Sequence, residues 1–167
     1  ACWSSAAVAD DVAAAKALFN RGLADMEGGQ YDTGCPAIAA SYKLEPRPGT
    51  LFTLAECEAK RGRVATALAR YEDYLAAFGR MTADQQKKQS GRETIAAAQK
   101  VALAPLVPEL TITLPAAAPR GTVVKRDDVT LEEAALGVPL PIDPGEHVVT
   151  SQAPNGAVSE LRVTLAK

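Results

Sequence analysis

The chain has 167 residues, 47% of them hydrophobic, with 18 basic against 20 acidic side chains and a net charge of −2. That length holds one large domain or two small ones, and no apolar run approaches the roughly 20 residues that a membrane-spanning helix needs. The slightly acidic balance, whose densest basic stretch is the broken cluster Lys60-Arg61-Gly62-Arg63, argues against nucleic acid as a partner.

Composition divides the chain. Residues 1–106 are dense in Ala, Leu, Glu, Lys and Arg and carry 13 basic and 12 acidic residues; from Pro108 onward Pro, Val, Thr and Gly take over, with 5 basic and 8 acidic residues after position 106. The expectation is α+β in two domains, a helical one over 1–106 and a β-domain over 107–167. The chain begins Ala1-Cys2-Trp3, without Met, which reads as a processed end left by a signal peptide, although an artificial start would look the same. Cys2 raises the idea of a lipidated cysteine, but Ala1 in front of it counts against that.

In chain order, a first helix is expected over about 6–27, where Val12, Ala15, Phe19, Leu23 and Met26 form one apolar stripe at three- and four-residue steps. Gly28-Gly29 ends it. A second helix is expected over about 33–44, with Pro36 in its first turn. Pro46-Arg47-Pro48-Gly49 then breaks the chain before a third helix over about 50–60 and a fourth over about 64–78. Thr82-Ala83-Asp84-Gln85 reads as a capping box opening a fifth helix that reaches about 104, weakened at Gly91.

Gly29-Gln30-Tyr31 is echoed by Gly62-Arg63-Val64, 33 residues later. That period marks stacked helix pairs, which bind polypeptides more often than they catalyse reactions. Residues 15–79 resemble two tetratricopeptide repeats. Leu18 and Leu51 stand at the first large apolar position, Gly22 and Ala55 at the small one, and Gly29 and Gly62 at the turn. Tyr31 and Val64 follow at the aromatic position, then Gly34 and Ala67, Ile38 and Tyr71, with Pro46 as the terminal proline. Ser41 occupies the last small position and Tyr74 departs from it. The resemblance implies antiparallel helical hairpins, about five helices in all.

Beyond residue 107, short strands are expected over 109–114, 122–126, roughly 138–142, 146–152 and 158–165. Asp127-Asp128 and Pro154-Asn155-Gly156 read as turns. Strands at this spacing suggest a small β-sandwich. The segment resembles a PEGA-type domain, a surface module of bacterial proteins, through Gly121-Thr122-Val123-Val124-Lys125-Arg126-Asp127, Gly137-Val138-Pro139 and Asp143-Pro144-Gly145-Glu146-His147. The combination resembles bacterial envelope proteins.

Folding the second helix onto the third about Pro46 places Cys35, 11 residues before it, level with Cys57, 11 residues after. A Cys35–Cys57 disulfide is expected, the alternative being two buried thiols; the bridge would imply an oxidising compartment, extracytoplasmic in the periplasm, cell envelope or outside the cell. Cys2 is then the odd cysteine, either free or a candidate for an intermolecular bridge.

No cofactor or metal is expected. His147 stands as the lone histidine, without a Cys-x-x-Cys pair, and it follows a turn as a structural side chain would. Asp127, Asp128, Glu132 and Glu133 lack the alternating spacing of a calcium loop and read as a solvated turn. Ser151 and Ser159 near His147 lack a nucleophile elbow, and the glycine pairs lack a phosphate-loop pattern. The chain is not expected to be an enzyme.

The repeat pattern puts Lys16, Phe19, Leu23 and Met26 on the concave face of the first pair. Gly49, Phe52, Glu56 and Lys60 stand on that of the second. Phe19, Leu23, Met26 and Phe52 would floor a groove for a helix or an extended segment, unless the fifth helix or the β-domain fills it. The favoured reading is a non-catalytic, secreted or envelope module for protein–protein contact or scaffolding. Alternatives are a structural subunit of an extracellular polymer or coat, built from copies of this chain, and a regulatory subunit of an enzyme complex.

Overall fold

The computed structural model describes residues 5–166, with side chains described from residue 10 onward; Cys2 lies outside that range. The chain divides into two compact units, Ala1–Pro105 and Leu106–Lys167. Among the described residues the first holds six α-helices: α1 (Ser5–Glu27), α2 (Tyr31–Leu44), α3 (Pro48–Arg61), α4 (Val64–Phe78), α5 (Ala83–Lys87) and α6 (Arg92–Leu103). The second holds β1 (Glu109–Leu110), β2 (Val123–Arg126), β3 (Val129–Leu131), β4 (Leu140–Pro141), β5 (Gly145–Gln152) and β6 (Val158–Leu165). The fold is therefore α+β. Among the described residues no helix is long and apolar enough to cross a membrane.

The 33-residue echo is present atom for atom at the helix ends. Gly29 and Gly62 both take left-handed backbone, φ 76° and 86°. The Gly29 amide donates to the Met26 carbonyl and Gln30 to Asp25; in the second pair Gly62 donates to Ala59 and Arg63 to Glu58. Each pair of bonds satisfies two of the carbonyls that a helix end leaves open, in an arrangement that glycine enters without penalty.

The two pairs also cross through small residues. A Cβ at Gly22 would stand 2.8 Å from the Gly34 carbonyl oxygen and 2.7 Å from Ile38 Cγ1; one at Gly34 would stand 2.9 Å from the Gly22 oxygen. The backbones of α1 and α2 thus touch, and only glycine permits it. At the equivalent places α3 and α4 present Ala55 and Ala67, both fully buried.

Two apolar clusters result. Met26, Cys35, Ile38, Leu54 and Cys57 pack where α1, α2 and α3 meet. Leu51, Phe52, Tyr71, Tyr74, Ala96 and Leu103 pack among α3, α4 and α6. Tyr74, the departure from the small-residue pattern, is fully buried with its ring 5.2 Å from that of Phe52 and 6.2 Å from that of Phe78. Its partner position Ser41 is also buried, and its hydroxyl donates to the Ala15 carbonyl at 2.7 Å.

The expected single fifth helix is two. Thr82 and Gln85 close the capping box on α5, but α5 ends after five residues and Gly91 takes φ 79° before α6 starts. A residue with left-handed backbone cannot continue a right-handed helix, so α6 sets off in a new direction and packs on α4, with Lys100 Nζ 3.0 Å from Glu72 Oε1.

In the second unit β2, β3, β5 and β6 form one antiparallel sheet in the order β3-β2-β5-β6, and β1 pairs with β4. Asp127 and Asp128 take φ 48° and 66°, so the expected turn is a two-residue connection whose left-handed backbone matches the strand twist. It adds β3, a strand the residue pattern did not suggest. The expected strand over 109–114 shrinks to its first two residues. Leu110, Ile112 and Leu114 remain half-buried in alternation. The facing segment, however, carries Pro139 and Pro141, which have no N–H to donate. Beyond the β1–β4 pairs, the connection continues through the Gly137 amide on the Ile112 carbonyl at 2.8 Å.

Candidate functional site

Cys35 in α2 and Cys57 in α3 are joined by a disulfide, with Cα atoms 5.5 Å apart. Both cysteines are fully buried. The bridge ties the first helix pair to the second at equal heights along the two helices.

The concave-face residues separate into different environments. Lys16 and Phe19, on adjacent turns of α1, line a cavity of about 390 Å³ together with Ala15, Gly49, Gln89 and Arg92. Phe19 is half-buried and Lys16 exposed. The Arg47–Glu45 ion pair, 2.6 Å, sits at the same cavity. Its floor is thus apolar, and cationic groups stand on it from α1 and from the start of α6.

Met26 and Phe52 do not join that floor. Met26 is 7% exposed and packs against the disulfide; Phe52 is 4% exposed and packs edge-on against Tyr71 and Tyr74. The cover over Phe52 is Arg92, whose guanidinium carbon lies 5.5 Å from the ring centroid. A Cβ on Gly49 would meet Arg92 Nη1 at 3.0 Å, and that nitrogen donates to Gln89 Oε1 at 3.0 Å. The second half of the groove is therefore filled by the protein itself, through the first residue of α6. Leu23 is half-buried and outside the cavity lining. Lys60 lines a separate depression beside the Gly29-Gln30-Tyr31 turn, with Asp32 and Arg61.

Glu56 lies half-buried on α3. Burial pushes its carboxyl above the usual carboxylate value, partly offset by the charges of Lys60 and Arg92. Burial, and then the Glu56 charge, push the Tyr71 hydroxyl up to about 12. Glu56, Lys60 and Arg92 thus act on one another electrostatically along the filled half, while the open half holds Lys16 and Phe19. Sequence reasoning missed Arg92 and Gln89 as site residues. The signal that bears on them is Gly91, which ends one helix and aims the next.

The β-unit has its own polar constellation. His147 Nδ1 lies 2.6 Å from Asp127 Oδ2 and Nε2 lies 2.7 Å from the Asp143 carbonyl oxygen. Asp127 Oδ1 accepts from the Val148 amide at 3.0 Å, and its own amide donates to the Val148 carbonyl at 2.9 Å. Burial raises the Asp127 carboxyl, but the hydrogen bonds from His147 and Val148 and the charges of His147 and Arg126 outweigh it. The carboxyl is held below its ordinary value. The turn is exposed to solvent, as expected for Asp127, Asp128, Glu132 and Glu133, and is in addition anchored through Asp127. A cavity of about 770 Å³ lies elsewhere in this unit, lined by Leu114, Arg120, Leu131, Glu133 and Leu136 among others. Among the described residues no group of three His, Cys, Asp or Glu side chains is placed to hold a metal ion.

No family model, curated protein or solved structure matches the chain.

Proposed function

We propose that this protein is a non-catalytic module for protein–protein contact outside the cytoplasm, built from tetratricopeptide-like helix pairs and a PEGA-like β-unit. The observation that carries the reading is the open cavity at Phe19, whose lining includes Lys16 of α1 and Arg92 of α6. A largely apolar lining with Lys16 and Arg92 in it suits a short segment that offers one apolar side chain and neighbouring carboxylates. With Phe52 covered, the open part is short, so it takes a few residues rather than a whole helix. The buried Cys35–Cys57 bridge accords with an oxidising compartment.

The test is selection from a displayed library of random peptides, followed by titration of the enriched sequences. Acidic peptides with one apolar anchor are expected, losing at least tenfold in affinity against Phe19→Asp or Lys16→Glu while the variants' thermal unfolding stays cooperative. Binders indifferent to both substitutions, or none enriched over a helical control, would count against the reading.

A further inference from the structure

The four-stranded sheet ends in two unlike edges. One is β3, three residues long; the other is β6, eight residues long, which among the described residues pairs with β5 alone. A long free edge carries a row of unpaired amides and carbonyls, and proteins usually blunt it with proline, lysine or a bulge. The segment Val158-Ser159-Glu160-Leu161-Arg162-Val163-Thr164-Leu165 contains neither proline nor lysine, and its register with β5 runs unbroken from Gln152–Val158 to Gly145–Leu165.

The faces of this edge carry specific information. Leu161 pairs with Val149, which pairs with Arg126 and so leads to Val129 across the sheet. The two ends of that row are open to solvent: Leu161 is 63% exposed and Val129 61%. On the other face, Arg162 Nη1 donates to Glu146 Oε1 and Nη2 lies against Glu160 Oε1, both at 2.9 Å.

Laid antiparallel against itself with Leu161 opposite Leu161, the strand is self-complementary. Glu160 meets Arg162, Arg162 meets Glu160, Ser159 meets Val163 and Val158 meets Thr164. Moving the centre by one residue sets Glu160 against Glu160 or Arg162 against Arg162, and like charges directly opposite are destabilising. Only the register centred on Leu161 joins the exposed leucines and matches the charges. Glu146 and Glu160 of the same copy already hold the Arg162 guanidinium on that face, across from the position of the other copy's Glu160.

We propose that two copies of this chain associate through β6, antiparallel about a two-fold axis at Leu161, so that the two sheets become one in the order β3-β2-β5-β6-β6-β5-β2-β3. The contact is isologous and closes at the dimer. It is independent of the helical cavity and stands whether or not that cavity binds peptide.

The experiment is sedimentation equilibrium of the full chain over a dilution series, in a Cys2→Ser background to remove thiol-linked dimers. The parent is expected to dimerise reversibly. Glu160→Arg alone and Arg162→Glu alone each put like charges opposite one another, and each is expected to weaken the dimer at least tenfold. An equal mixture of the two single variants restores both ion pairs between unlike copies, and the double variant Glu160→Arg/Arg162→Glu restores them between like copies, so both are expected to recover the dimer. Leu161→Cys is expected to form a disulfide-linked dimer on air oxidation. A parent that stays monomeric at every concentration overturns the proposal. So does a dimer indifferent to both charge reversals, a mixture that fails to recover, or a Leu161→Cys dimer without the cross-link.

Discussion

The two helix pairs follow one 33-residue template and end differently. Phe19 and Phe52 occupy equivalent positions, yet Phe19 lines an open cavity and Phe52 is shut beneath Arg92. The backbone turns match, and small residues stand at both crossings, Gly22 and Gly34 in the first pair and Ala55 and Ala67 in the second. What differs is the neighbour that follows each pair. Beyond the second pair the chain returns as α6, and its first side chain lands on the groove. A repeated hairpin therefore provides a repeated surface, and the next element decides which copy of it stays available.

The sharpest way to break this comparison is to truncate both rings. Phe52→Ala is expected to cost about 3–5 kcal/mol, because a fully packed aromatic leaves a cavity. Phe19→Ala should cost less than half as much, since one side of the ring already faces solvent. Urea unfolding of both variants checks it; equal losses would mean the two rings are equally packed.

Next comes the tie between the pairs. The disulfide closes a loop with a sequence separation of 22, and removing it as Cys35→Ser/Cys57→Ser should cost about 3 kcal/mol by loop-closure entropy. Calorimetry of the variant should show a lower Tm. An unchanged Tm would show that apolar packing alone joins the pairs.

A smaller effect separates the crossings. Alanine usually stabilises a helix interior relative to glycine, yet Gly22→Ala should destabilise by about 1–3 kcal/mol, because its methyl would overlap the Gly34 carbonyl and Ile38. Stabilisation by this change, measured in urea, would show that α1 and α2 part easily.

The smallest concerns the β-unit. The Asp127 carboxyl is held below its ordinary value, so its contribution is complete above the unfolded value of about 3.9. That contribution is lost as pH falls through the lower folded value. The protection of the Val148 amide, its exchange relative to the intrinsic rate at the same pH, should therefore fall below about pH 4, and Asp127→Asn should flatten that dependence. The same pH slope in both proteins would place the acid sensitivity elsewhere.

Much of the helical unit was legible because its cues are local. Gly29 and Gly62 each close a helix end within six residues, and the spacing of Cys35 and Cys57 about Pro46 follows from helical rise alone. The β-unit was less legible. The strand over 109–114 was overestimated because its own alternation is sound, and the limit comes from Pro139 and Pro141 on the other side. The His147–Asp127 pair was missed because it joins residues 20 positions apart through the β2–β5 register.

The residues by themselves determined the α+β division, the two matched hairpins, the level cysteines and the tight turn at Asp127-Asp128. Each follows from backbone preferences and hydrogen bonds over a few neighbouring positions. Tertiary structure alone decided that Arg92 closes over Phe52, that Met26 belongs to the core, and that β6 is left as a free eight-residue edge. Those outcomes depend on where distant segments return in space. A single left-handed residue such as Gly91 can redirect a helix without leaving any periodic trace of its destination.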